Sequence, residues 1–296
     1  MTDAATLALR WPAAGCVHLH VTQMGAGTPV LCLHGFPDHW RLWQPLMQAL
    51  APHHRVVAPD LRGINLSDKP PAVGDYAIGH LVADVLALID HLGGRCALVG
   101  HDWGGLLAWT VAALHPQQVS RLVVFNAPHP CRFAQELKTN PQQREASAYA
   151  LRLCEPGVEQ VLAENDFQRL WAVRSQGRAG PEAAAEREAA VRAWAQPGAL
   201  TAALNWYRAL NIRQALGPQG VPAVPDLGSA TGHVACPTLV VWGERDGSFP
   251  VACLDGLADW VPQLQLHRQP DGGHWLLQDQ PALAANLVLR FLAQEG

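Results

Sequence analysis

The sequence predicts an α/β fold, a mostly parallel central sheet flanked by helices, with a block of helices inserted late in the chain. Two observations predict it. Apolar runs of strand length alternate with helix-like segments up to about residue 127 and again from 237 onward. Between them, from about 130 to 215, the chain is rich in alanine, glutamine and arginine and has almost no β-branched run. The reading is a core made of 1–129 and 233–296, interrupted by a helical cap at 130–232.

The elements follow in order. CVHLHV (16–21) and PVLCLH (29–34) read as strands, WRLWQPLMQALA (40–51) as a helix and HRVVAPD (54–60) as a buried strand. In 78–93, Leu81, Val82, Val85, Leu86, Ile89 and Leu92 recur with helical period, and Gly93 supplies the stop. CALVGH is a strand, the segment after Gly105 a helix, and RLVVFNA (121–127) a further strand. Beyond the cap come the strand PTLVVWGERD (237–246), a helix near 251–260, the strand LQLHRQ (264–269) and a final helix from Pro281. GPQGVPAVPDLGSATGH (217–233) is rich in Pro and Gly and reads as a connection.

Composition narrows the function. The 296 residues are 49% hydrophobic and 16% charged, enough to bury a substantial core. The net charge is −4 and the arginines are scattered, which argues against a nucleic-acid or anionic-membrane surface. No apolar run approaches the roughly 18 residues of a membrane span. The first residues, with Asp3 and only a short apolar patch, do not read as a signal peptide. Seven cysteines occur singly with no CxxC, which fits reduced thiols in a cytoplasmic protein and gives no zinc framework. No metal or organic cofactor is expected. A homodimer is compatible with the composition.

The chemistry gathers around VGHDWGG (99–105). A strand leads into it and a helix leaves it, and Gly100, Gly104 and Gly105 suit a sharp turn that exposes its central side chain. That side chain is Asp102, and the helix N-terminus behind it favours negative charge. Asp246 ends the strand in VVWGERD, and His274 lies in the glycine-rich DGGHW before the last helix. HGFP (34–37) directly follows a strand, so the backbone N–H groups of Phe36 and Trp103 are candidates for an oxyanion hole. His101 reads as a structural histidine of the turn.

These elements, HGFPDHW, DLRG, GHDWGG, WGERD and GGHW, closely resemble the α/β-hydrolase superfamily over nearly the whole chain. An Asp at the nucleophile position resembles the branch shared by epoxide hydrolases and dehalogenases. One departure follows DLRG, where the family usually has an aromatic and then a glycine. Here Ile64 and Asn65 stand, and Asn tolerates the left-handed backbone that glycine would supply.

The resemblance implies the chemistry. Asp102, Asp246 and His274 stand in the family's triad order of nucleophile, acid and histidine: the Asp102 carboxylate displaces a leaving group at a saturated carbon and becomes an enzyme ester, which water activated by His274, itself oriented by Asp246, then hydrolyses. An opening epoxide leaves an alkoxide that needs a proton, and a phenol of pKa about 10 supplies one at neutral pH. Soluble epoxide hydrolases resemble this chain at two cap tyrosines: Tyr149, six residues before an EPG turn, and Tyr207, in NWYR. Both are implied ring-opening donors, and with Phe36 and Trp103 they are the implied substrate contacts. Tyr76 reads as structural. The expectation is an epoxide hydrolase acting on a small-molecule epoxide and water. A haloalkane or haloacid dehalogenase using the same triad is the alternative: haloalkane dehalogenases also carry Trp after the nucleophile, as Trp103 stands here, and Trp171, Trp194 and Trp206 could donate a further N–H. A ligand-binding receptor of this fold is the third reading.

Overall fold

The computed structural model describes residues 7–12, 17–210, 216 and 232–294. Eight strands form one sheet in the order β1-β2-β4-β3-β5-β6-β7-β8. They are β1 (Leu7–Pro12), β2 (His18–Met24), β3 (Thr28–Leu33), β4 (His54–Pro59), β5 (Cys96–His101), β6 (Val119–Phe125), β7 (Thr238–Gly243) and β8 (Leu264–Gln269). Only β2 runs against its neighbours; β4, β3, β5, β6, β7 and β8 pair in parallel. The expected α/β class therefore holds.

The central strands explain themselves. CALVGH in β5 is buried at every position, and so is TLVVWG in β7. A parallel strand covered by helices on both faces reads as a continuous apolar run rather than an alternating one. Two apolar clusters result, one on each face. Leu98, Leu122 and Val240 belong to one, Val99, Val123 and Val241 to the other, as the two-residue side-chain period requires.

The core helices are α1 (Gln44–Leu50), α2 (Ile78–His91) and α3 (Trp103–Leu114). Pro45 lies in the first turn of α1, where its missing N–H costs nothing. A 3₁₀ turn over Trp40–Trp43 precedes it, so the expected single helix is two pieces. α2 buries Leu81, Val82, Val85, Leu88 and Ile89 and also Asp84, whose two oxygens accept from Arg62 at 2.7 Å each. α3 has no polar face: Gly104 to Ala112 are all buried. It is the central helix on which the site is built.

Between β6 and β7 lie six helices among the described residues: α4 (Pro130–Thr139), α5 (Pro141–Ala146), α6 (Tyr149–Leu153), α7 (Val158–Ser175), α8 (Pro181–Trp194) and α9 (Ala199–Ala209). α6 to α9 share a third apolar cluster that includes Leu170, Trp171, Trp194, Leu204 and Tyr207. α7 contains a left-handed turn in which Asn165, Asp166 and Phe167 have φ of +51°, +53° and +58°. Two short helices close the fold, α10 (Leu276–Asp279) and α11 (Pro281–Leu292).

Three sequence expectations need correction or limit. The helix expected near 251–260 is two 3₁₀ turns, Val251–Leu254 and Leu257–Asp259; between them Gly256, at φ +68°, breaks the helix. β1 was not anticipated. The loop over 217–233 falls, up to 231, outside the described residues. Asn65 adopts φ +44° as expected and donates to Asp60 Oδ2 at 2.9 Å.

Candidate active site

β5 ends at His101, and α3 begins at Trp103, so one residue makes the whole turn. That residue is Asp102, at φ +51° and ψ −122°. A non-glycine residue held there is strained by about 1–3 kcal/mol. The glycines make the turn possible. A Cβ on Gly104 would collide with the Leu33 carbonyl, and one on Gly35 would overlap the Asp102 side chain. The close approach of the HGFP loop to the turn therefore demands glycine on both sides.

Asp102 is 6% exposed. Its Oδ1 accepts the Phe36 N–H at 2.9 Å. Its Oδ2 lies 3.6 Å from His274 Nε2. Burial works against its charge, but the His274 contact, His101 and the Trp103 amide outweigh burial and hold the carboxyl below the usual range. The two amides expected to form an oxyanion hole thus both act on the Asp102 carboxylate.

His274 stands between two carboxylates. Its Nδ1–H donates to Asp246 Oδ2 at 2.8 Å. Burial alone would lower its pKa, but Asp246 and then Asp102 outweigh it and raise the value to about 10. Asp246 is itself fully supported. Its Oδ1 accepts the N–H groups of Ser248 at 2.7 Å and Phe249 at 3.1 Å. Its Oδ2 also accepts from Asn126 Nδ2 at 2.7 Å. Asn126, at the end of β6 with φ +41°, was not singled out in the sequence; the signal was an Asn directly after a buried strand, RLVVFN.

His101 is structural, as read. It is fully buried, its Nε2–H donates to the His274 carbonyl at 2.9 Å, and its ring packs 4.8 Å from the His274 ring. Burial and the neighbouring His274 lower its pKa to about 4, so it stays neutral. Tyr76 is also structural: its hydroxyl donates to Pro70 O at 2.8 Å.

A cavity of about 520 Å³, counted out to its mouth, opens over Asp102 and is walled by Trp103, Leu106, Phe133 and Phe249. Tyr149 from α6 and Tyr207 from α9 both line it. Their rings lie 6.3 Å apart at 73°. Tyr207 packs edge-on to Phe36 at 5.5 Å and Trp103 at 5.1 Å. Tyr149 keeps 37% of its surface accessible, which includes the face it turns to the cavity, whereas Tyr207 keeps 4%. Burial raises both phenols above 10, and the Asp102 charge raises each further. Both therefore stay protonated at neutral pH.

Two of the three tryptophans of the inserted helices have their indole N–H engaged. Trp194 Nε1 donates to Pro37 O at 2.6 Å and Trp206 Nε1 to Arg62 O at 3.0 Å. Trp171 lies under the Arg174 guanidinium at 5.7 Å. Among the described residues, no cluster of three or more His, Cys, Asp or Glu could hold a metal ion, and no helix is long and apolar enough to cross a membrane.

A family model of the α/β hydrolase fold matches residues 28–281. The chain belongs to the α/β hydrolase fold family. Among its relatives, this α/β hydrolase is 35% identical to epoxide hydrolase 4 of Mus musculus, over 91% of this chain and 74% of that one. It is 33% identical to the AB hydrolase superfamily protein YfhM of Bacillus subtilis (strain 168), over 94% and 96% of the two chains. Among solved structures it is similar to Bacillus megaterium epoxide hydrolase in complex with an inhibitor, with TM-score 0.87 and 30% identity over 97% of this chain and all of the other. The hydrolase is thus epoxide hydrolase-like in sequence and in fold.

Proposed function

We propose that the protein is an epoxide hydrolase that converts an epoxide to a vicinal diol through an ester on Asp102. The observation that carries this is the pairing of a carboxylate nucleophile with two protonated phenols on one cavity. The segment 130–232 serves as the cap that brings those phenols over the core. A mutant of the similar Bacillus megaterium enzyme is complexed with its product, (R)-3-[1]naphthyloxy-propane-1,2-diol, a vicinal diol.

In the first step Asp102 Oδ2 attacks a ring carbon. The carbon–oxygen bond breaks, and Tyr149 or Tyr207 gives the departing oxygen its proton. Ester formation removes the Asp102 charge. One of the two carboxylates that held His274 as an imidazolium is then gone, so its pKa falls and its proton returns to the phenolate. His274 is now a neutral base, oriented by Asp246.

In the second step His274 takes a proton from water, and the hydroxide attacks Cγ of Asp102. The oxyanion forms on Oδ1, the atom the Phe36 N–H already holds. Collapse expels the diol oxygen, which takes the proton of the new carboxyl. The carboxylate and imidazolium are restored, and the net reaction is epoxide plus water to diol.

The dehalogenase reading has less support. A departing halide needs N–H donors and no proton, so it gives the two phenols no part, and the indoles of Trp194 and Trp206 are bound to backbone carbonyls; Trp103 on the cavity wall is the indole that favours this reading. A panel of epoxides and haloalkanes assayed for diol and for free halide tests the proposal. Diol formation at catalytic rates is expected; halide release without diol from any epoxide would overturn it.

A further inference from the structure

One buried carboxylate outside the triad joins three segments of the site. Asp38 closes the HGFP turn, with its N–H donating to Gly35 O at 3.1 Å. Its side chain has no accessible surface. Oδ1 accepts from Arg174 Nε at 2.6 Å, and Arg174 comes from α7 in the inserted helices. Oδ2 accepts from Trp275 Nε1 at 2.8 Å, and Trp275 is the residue after His274. The Trp275 ring meets the His274 ring edge-on at 4.7 Å and 84°.

The grip from the inserted helices is wider than this pair. Trp194 of α8 holds the Pro37 carbonyl, one residue before Asp38. Arg174 also reaches Glu186 at 3.2 Å, and Arg178 joins Glu186 to Gln278, four residues past His274. An ion pair this deeply buried gains little net stability, because desolvating both charges offsets their attraction. Its placement at the crossing of three segments suits a geometric role better than an energetic one.

We propose that Asp38 is a positioning residue that holds the Phe36 amide and the His274 ring in register with each other, through its turn and its bonds to Arg174 and Trp275. This rests on the two-step reading above. The register matters chiefly to the second step. During attack the carboxylate loses charge, so the Phe36 bond weakens and gives the transition state no advantage. During ester hydrolysis charge builds on Oδ1 while His274 must face the water, so both aligned groups are needed together.

The test compares Asp38→Asn and Trp275→Phe with the parent protein in single-turnover experiments with an epoxide substrate, following the ester by intact mass. Trp275→Phe removes the indole N–H and its five-membered ring but leaves Asp38 paired with Arg174 and an aromatic ring beside His274, so it carries the test if Asp38→Asn folds poorly. Removing an oxyanion donor outright costs about 100- to 1,000-fold; loosening the register is expected to slow ester hydrolysis about 10- to 100-fold, with ester formation within threefold of the parent. The ester then accumulates during turnover. A merely structural role lowers the active fraction and both steps alike, with no accumulated ester, and that result would overturn the inference. His274→Gln serves as control. If it traps ester while neither variant accumulates any, only the role of Asp38 fails; if it traps none, the two-step reading itself fails.

Discussion

The Phe36 amide lies 2.9 Å from Oδ1 of Asp102, while Oδ2 of the same carboxylate lies 3.6 Å from His274. The two oxygens are therefore already distinguished. On the proposed mechanism, one is held where negative charge develops during ester hydrolysis, and the other is the attacking atom. Asp102→Asn keeps the shape and removes the nucleophile. Turnover of an epoxide should fall by about 10⁴-fold or more, on the scale seen when a nucleophile is deleted. Near-parent kcat in this variant would move the nucleophile elsewhere.

On the proposed mechanism the two cavity tyrosines share one task. Tyr149→Phe or Tyr207→Phe alone leaves one donor on the cavity, and each should lower ring opening by about 10- to 100-fold. The double variant should lose the full effect of general acid catalysis, about 10²–10⁴-fold or more. Circular dichroism should be unchanged. Ring opening in the double variant within threefold of the parent would show that another group protonates the leaving oxygen.

The pH dependence of stability follows from His274. Its pKa in the fold, about 10, lies above the ordinary value of 6.5. A raised folded-state pKa means a stabilisation that is complete below pH 6.5 and is lost as pH rises through about 10. The melting temperature should fall across that window, and His274→Gln should flatten this part of the profile. A parent profile flat from pH 7 to 10 would contradict the assigned charge state.

Gly35 is a packing requirement with a functional readout. Gly35→Ala places a methyl group on the Asp102 side chain. Overpacking of this kind costs about 1–3 kcal/mol, measurable by denaturant unfolding. Ester formation should fall further than that loss of stability explains, because the displaced atom is the nucleophile. Unaltered ester formation would mean that the HGFP loop yields instead.

Much of this was readable because the informative signals are local. The strand-to-helix turn announces itself through Gly100, Gly104 and Gly105, and the apolar runs of β5 and β7 follow from burial on both sheet faces. Asp246 and His274 each sit at a strand end or in a glycine-rich loop, and the structure brings both to Asp102. What escaped the sequence depends on long-range pairing. Asn126 supports Asp246 across 120 residues, and Asp38 meets Arg174 across 136 and Trp275 across 237. No local pattern encodes such partners. The helix expected near 251–260 failed for a local reason, since Gly256 breaks a stretch whose apolar spacing still looks helical.

The most direct measurement of the central claim is the intact mass of His274→Gln after exposure to epoxides and haloalkanes, followed by mapping of the adduct. The variant keeps Asp102 and both tyrosines but lacks the base for ester hydrolysis. A gain equal to one whole epoxide, mapped to Asp102, is the predicted result. No adduct with any epoxide, or a gain only of a haloalkane minus hydrogen halide, would contradict it.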